Sequence, residues 1–389
     1  MSFELKALKD ICTIQIGKTP SRHESDYWRD GTHAWLSIAD MNQGRYLNNT
    51  KEYITDLGVK ASNIKLIPKN TLVLSYKLSI GKVGITQKPM YTNEAIASLT
   101  ELDSQVDINY LYWALQHIDL LENADRAAMG KTLNKAKLSE VKIPLPPLAE
   151  QRRIASILDQ ADELRQKRQQ AIEKLDQLLQ ATFIDMFGDP VSNPKGWDLR
   201  SVGEISESKL GKMLDKKKQS SEIDQYKYLR NANVQWFRFD LSDVFEMEFN
   251  EKDRKNCELK FGDVLVCEGG EPGRAAIWKN DLENCFFQKA LHRVRLDMTQ
   301  ILPEYFVWLF WFYSKNGGFD DHITVATIAH LTGVKMKAMQ IPIPPLSLQE
   351  DFQQKVNEIE VLKTTLENSS KLFESLFSSL QNQVFNGTL

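Results

Sequence analysis

Cysteine is scarce and poorly placed for chemistry. The 389-residue chain has four (Cys12, Cys257, Cys267, Cys285), and no two form a C-x-x-C pair. That argues against a zinc ribbon or a dithiol redox centre and for a reduced, cytoplasmic protein. The six histidines are scattered, with no H-E-x-x-H and no Cys/His quartet, so no metal site is expected. There is no G-x-x-x-x-G-K-[ST] phosphate loop and no clustered metal-binding nuclease signature. No Asn/Asp-Pro-Pro-aromatic methylation motif is present either: Pro146-Pro147 and Pro344-Pro345 are each followed by Leu. A nuclease or methyltransferase carrying its own target domains would need one of these. Charge of one sign is also lacking. The net charge is −3, so any nucleic-acid surface must be local. The longest apolar run, Tyr305 to Tyr313, is too short to span a membrane, and Met1 to Lys6 begins no signal-peptide core. The composition, 42% hydrophobic and 26% charged, is that of a globular chain with room for two domains or more.

What the chain does have is a repeat. Ile143-Pro144-Leu145-Pro146-Pro147-Leu148 is followed by Gln151, and Ile341-Pro342-Ile343-Pro344-Pro345-Leu346 by Gln349, an offset of about 198 residues. Alternating prolines fix φ and remove donors, so each motif is an extended segment through which no helix can run. A long stretch free of Pro and Gly follows each, to Phe187 and to Phe385. In the second, Ser347 and Glu350 are spaced as a capping box; the first has Ala149 at that place. Apolar residues then recur with a heptad component: Ile157, Leu164, Ala171 and Leu178 in the first, beside Ile154, Ala161 and Leu175, and Phe352, Ile359, Leu366, Phe373 and Leu380 in the second, with Leu362 and Leu376 in a further row. This is a coiled-coil-like seam on helices of about 36 residues, roughly 54 Å long. One amphipathic helix leaves its seam wet, so each is the expected partner of the other.

The intervening segments repeat as well. Residues 70–76 and 80–85 read as a strand, a glycine-pinned turn and a strand, and 262–267 with 272–277 answer them. Asn109 to Leu115 reads as a helix, answered by Tyr305 to Trp308 at an offset of about 195. Tyr305 to Tyr313 is aromatic on every side, which suits a buried core helix better than a base-stacking platform. The layout is globule, helix, globule, helix, with bounds 1–142, 143–189, 190–340 and 341–389.

This order, with Ile-Pro-x-Pro-Pro-Leu-x-x-Gln opening each helix and the Gly262-Asp263-Val264-Leu265-Val266/Pro272-Gly273-Arg274 hairpin, resembles the specificity subunits of Type I restriction-modification systems over essentially the whole chain. The resemblance implies an α+β fold: two similar mixed α/β target recognition domains separated by two long antiparallel coiled-coil helices, a pseudo-twofold tandem repeat. Each domain would read one half of a split DNA target. Modification subunits, two of them, would dock on the helices and methylate adenine with S-adenosylmethionine; restriction subunits would cut DNA with ATP and Mg. The chain itself would bind no cofactor and catalyse nothing. A two-domain coiled-coil adaptor unrelated to DNA is the rival, and it leaves the matched domains with differing basic loops unexplained.

Phosphate contacts need Lys and Arg, and base edges are read by Arg, Lys, Asn and Gln. In the first domain the candidates are Lys18, Thr19, Arg22, Tyr76, Lys77, Lys82, Arg126, Lys131, Thr132 and Lys135. In the second they are Lys212, Lys216, Lys217, Lys218, Arg230, Asn231, Arg274, Gln288, Lys289 and His330. A lone exposed lysine is ordinarily only a solvated one, so the run Lys216 to Lys218 carries more weight than any single position. Asn231 and Asn233 serve equally well as turn caps. The second helix carries more Glu and Asp than Lys, which suits protein docking rather than phosphate binding.

Overall fold

The computed structural model describes residues 3–77, 79–120, 125–127, 130–213, 225–322, 324–325 and 329–385. The chain divides into two compact units, 1–169 with 368–389, and 170–367. Both long helices cross the division, so each unit contains one globule and half of each helix.

The elements used below follow in chain order. The first globule has β1 (Leu5–Ala7), β2 (Thr13–Ile16), β3 (Tyr46–Leu47), β4 (Leu72–Ser75), β5 (Val83–Thr86), β6 (Ile96–Thr100), α1 (Ile108–His117) and β7 (Lys142–Pro144). Helix α2 (Leu148–Phe187) leads to β8 (Asp198–Ser201), β9 (Ser206–Leu210), β10 (Val264–Cys267), β11 (Ala275–Ile277), β12 (Leu291–Leu296), α3 (Pro303–Lys315) and β13 (Gln340–Ile343). Helix α4 (Leu346–Phe385) closes the described chain.

In the first unit the sheet runs β2-β6-β4-β5-β3. The β4–β5 hairpin sits at its centre in the register Leu72–Ile85, Val73–Gly84, Leu74–Val83, and both strands are wholly buried. Strand β3 joins β5 in parallel, so the sheet is mixed. The second unit repeats the core as β9-β12-β10-β11, with Val264–Ile277, Leu265–Ala276 and Val266–Ala275 in register. Helix α1 is capped by the Asp107 carboxylate, which accepts from the Asn109 and Tyr110 amides. Its counterpart α3 starts on Pro303, as a helix start tolerates, and buries nine residues. The aromatic run is therefore core.

The proline segments are strands paired on one side. β7 lies against β1, with Leu5 opposite Pro144, and β13 against β8, with Leu199 opposite Pro342. Proline lacks a donor, so it suits such an edge. Each helix then starts at the leucine of its motif. The carbonyl of Pro345 accepts from Leu348 and Gln349, so α4 begins ahead of the Ser347–Glu350 capping box, whose residues already lie within the helix. The motif's glutamine instead ties the helix start to the globule. Gln151 and Gln349 are both fully buried. The Gln151 amide donates to the carbonyls of Pro146 and Gln105, and its oxygen accepts from the Asp107 N–H, each at 2.8 Å. The hydroxyls of Tyr110 and Tyr305 donate to the carbonyls of Pro144 and Pro342 at 2.6 and 2.8 Å. Glutamine and tyrosine together lock hinge, globule and helix start in both units.

Each helix has 40 residues, about 60 Å. Within the second unit Lys363 pairs with Asp176 at 2.7 Å, while Phe352 meets Phe183 and Phe187. Numbers rise on one helix as they fall on the other, so the halves are antiparallel there. In the first unit Arg168 lies 4.7 Å from the Phe373 ring and bonds the Ser369 carbonyl, while Ile154, Leu158, Val384 and Phe385 share one core. On α4 the inward residues are Phe352, Ile359, Leu366, Phe373 and Leu380, beside Val356, Lys363, Ser370, Phe377 and Val384. Leu362 and Leu376 are exposed. On α2 the row of Ile157, Leu164, Ala171 and Leu178 is corrected, while the row of Ile154, Ala161 and Leu175 beside it faces inward: Leu164 and Leu178 are exposed, at 43% and 50%, and Ile157 is half-buried. The inward rows are Ile154, Ala161, Arg168, Leu175 and Leu158, Ile172, Leu179. Seven-residue spacing fixes a stripe but not which stripe faces inward, and here polar Arg168 takes an inward place while leucines face out. No helix among the described residues is long and apolar enough to cross a membrane.

Candidate nucleic-acid interface

Strand register gathers nine of the twenty candidate residues at one end of the two sheets. In the first unit Ile16 faces Ala97, Leu74 faces both Ala97 and Val83, and Ser75 faces Ile96. The end of β2, the end of β4, the start of β5 and the start of β6 therefore share an edge. Lys18, Thr19, Tyr76, Lys77 and Lys82 all emerge from it. In the second unit Leu210 and Val266 both face His292, and Val266 faces Ala275. Lys212, Arg274, Gln288 and Lys289 leave the equivalent edge.

Close backbone crossings hold these loops. A Cβ on Gly17 would lie 2.1 Å from the Thr92 carbonyl oxygen, and one on Gly211 would lie 2.3 Å from that of Gln288. Only glycine lets the strand pass there. The crossing sets Lys18 beside residues 92–94, with its amide bonded to the Thr92 carbonyl at 2.8 Å, and brings Lys289 N–H to the Lys212 carbonyl at 2.7 Å. Lys18, Lys135 and Lys289 are exposed.

Most of the other cations already have partners. Arg22 forms an ion pair with Glu52, which raises its pKa, and lies 3.8 Å from the Trp28 ring centroid. Thr19 donates to the Glu94 carboxylate. Lys77 sits 5.3 Å from the Tyr76 ring and Lys82 donates to Asn42 at 2.7 Å. Tyr76 is a correction: it is 2% exposed and donates to the Glu94 carbonyl at 3.0 Å, so it braces the loop from within. Burial, then the nearby Glu94, raises its hydroxyl pKa. In the second unit Lys212 pairs with Asp253 at 2.7 Å, Arg230 with Asp243 at 2.7 Å over the Phe245 ring, and Arg274 with Glu271 at 3.3 Å. Asn231 opens a 3-10 turn and donates to the Gly269 carbonyl at 2.8 Å, while Arg274 donates to the Asn231 carbonyl at 2.9 Å. His330 is exposed, and its strand bridges to Gly269. Asn231, Arg274 and His330 thus converge on the β10–β11 turn. Gln288 is half-buried and bridges to Lys212.

Arg126, Lys131 and Thr132 lie on a hairpin that places Arg126 opposite Lys131 and Thr132 opposite Asp125. Lys216, Lys217 and Lys218 lie outside the described residues. Beside the edge, His292 is 4% exposed, and its Nε2 is 3.8 Å from Glu268. Burial lowers its pKa against the opposing pull of Glu268. No cluster of His, Cys, Asp and Glu able to hold a metal occurs among the described residues. Sequence reasoning missed His292, and it missed Arg45, which ties the first sheet to α2. It also missed the clamping role of Gln151 and Gln349, although their repeated spacing carried that signal.

Comparison with known proteins agrees with this architecture. The sequence profile of the Type I restriction modification DNA specificity domain matches residues 2–174 and again 194–372. The chain is 28% identical over 256 residues to the Type I restriction enzyme MjaIX specificity subunit of Methanocaldococcus jannaschii, covering 61% of this chain and 57% of that relative. It thus spans little more than half of that relative's length. Two solved structures share the fold. One is the S subunit of a Type I restriction-modification system from M. genitalium, with a TM-score of 0.56 at 14% identity, covering 98% of this chain and 96% of the other. The second comes from work on complex assembly of the type I R-M system, with a TM-score of 0.64 at 15% identity, covering 100% and 98%.

Proposed function

The chain belongs to the Type I restriction modification DNA specificity family, and on that premise we propose that it is the non-catalytic, sequence-reading subunit of a Type I restriction-modification complex. Each globule reads one half of a bipartite target in double-stranded DNA. Lys18 and Lys289 at the sheet edges and Lys135 at the start of a short helix contact phosphates, and the group around Asn231, Arg274 and His330 contacts base edges. The observation that carries this reading is the duplication. The same loops leave the same sheet edge in each unit, on the same Gln-locked hinge, while their side chains differ.

The helices serve as spacer and as docking site for two modification subunits. The exposed Leu164, Leu178, Val361, Leu362, Leu372 and Leu376 support a protein partner. Those partners use S-adenosylmethionine to methylate one adenine per half-site, in a pocket that draws the base from the stack. Restriction subunits add cleavage with ATP and Mg. Exchange of residues 1–142 for the first globule of a relative tests this reading. One half-site should change and the other stay; a change in both halves would contradict independent readout.

A further inference from the structure

In the first unit one side chain ties the sheet to the long helix. Arg45 precedes β3, and its carbonyl accepts from the Ile85 N–H at 2.7 Å, which fixes its backbone to β5. Its guanidinium leaves the sheet, forms an ion pair with Asp159 of α2 and donates to Asn109 of α1 at 2.8 Å. It also lies 4.5 Å from the ring centroid of Tyr112. The indole N–H of Trp113 donates to the same Asp159 oxygen at 2.7 Å. The Arg45 side chain is only 11% exposed, so removing Asp159 leaves the guanidinium without its anion where water cannot fully compensate it.

The segment that carries Arg45 also reaches the loop edge. Asn42 accepts from Lys82, a candidate DNA contact, at 2.7 Å. Three residues further on is Arg45, with Gly44 at φ 95° between them. A short strut therefore joins the reading edge of the domain to its seat on the helix.

The second unit has the same strut built differently. Arg274, which occupies the place of Lys82, donates to the Asn231 carbonyl at 2.9 Å, and the Phe237 N–H bonds the Ala275 carbonyl at 3.1 Å. In this segment the Phe237 ring lies 4.5 Å from that of Trp308. The helix position that repeats Asp159 is the uncharged Asn357. An apolar contact holds without fixing direction, whereas a charged hydrogen bond is directional.

We propose that Arg45 is the positioning residue of the first recognition domain. Through Asp159 it fixes the angle of the reading edge on α2, and so the base-pair separation at which the first half-site is accepted. This rests on the split-target reading above.

The test uses the full chain with its modification subunits. The split target is first found by mapping methylated adenines. Methylation rates are then measured on duplexes with the native spacer and with one base pair added or removed. Arg45→Met keeps the stem without the charge, Asp159→Asn keeps the shape, and Arg45→Lys keeps the charge. In the first two, preference for the native spacer should fall by roughly tenfold, the loss expected for one charged hydrogen bond, with the half-site bases unchanged. Arg45→Lys should recover part of it. A lower melting temperature with unchanged spacer preference would overturn the proposal. If Arg45→Met does not fold, Asp159→Asn decides, and retained preference there overturns it. A wild-type chain with no split target would overturn the underlying reading, and this inference with it.

Discussion

Gln349 donates to the carbonyl of Pro344 at 2.9 Å, across the start of its own helix. The same nitrogen reaches the Gln300 carbonyl at 3.0 Å, and the oxygen accepts from the Leu302 N–H at 2.8 Å. One buried amide thus joins the proline hinge, the loop before α3 and the first turn of α4. Gln349→Ala leaves three backbone groups without their partner and should cost about 3 kcal/mol, read by urea denaturation of the full chain. Gln151→Ala should cost as much. A loss near zero at both would mean that water replaces the amide and the hinge is held elsewhere.

The aromatic packing of the second unit should be more demanding than any single clamp. Phe183 is fully buried and contacts Phe187, Tyr305, Trp308, Phe312 and Phe352. Phe183→Ala should destabilise by about 3–5 kcal/mol, measured as a shift in the denaturation midpoint. A change below about 1 kcal/mol would contradict this packing.

Helix register gives a paired prediction. Leu178 is half exposed and Leu179 is 1% exposed. Leu179→Ala should cost about 2–4 kcal/mol, and Leu178→Ala less than about 0.5. Equal effects would contradict the register.

How legible this was differs by element. The hinges, the long helices and the matched hairpins could be read because proline, glycine and apolar patterning act locally. The inward stripe of α2 is legible only in part: the apolar spacing marks Ile154, Ala161 and Leu175, but Arg168 and Asp176 make contacts there that no hydrophobic pattern encodes, while Leu164 and Leu178 face outward. The cations of the candidate interface were hard to rank for a related reason. Arg22 is paired with Glu52, Lys212 with Asp253 and Arg230 with Asp243. Those partners come from other elements, Glu52 from a strand and Asp253 from a short helix, so sequence shows the charges without showing which are already neutralised. Tyr76 looked like a loop residue but turns inward.

His292 predicts an acid sensitivity of the second unit. Burial holds its folded pKa below the ordinary histidine value. Such a group is neutral in both states at high pH. As pH falls through the unfolded value near 6.5, the unfolded chain takes the proton first and stability drops. The denaturation midpoint should therefore fall between pH 7 and pH 5, and less steeply in His292→Gln. The same slope in both would assign the acid sensitivity to other groups.

The central claim is that one chain reads two separated half-sites. Co-expression with a candidate modification subunit, followed by sequencing that detects methylated adenine across a genome, tests it most directly. The account predicts a split motif, with an unread spacer of constant length and one methylated adenine in each half. A continuous motif, or methylation confined to one half, would contradict it.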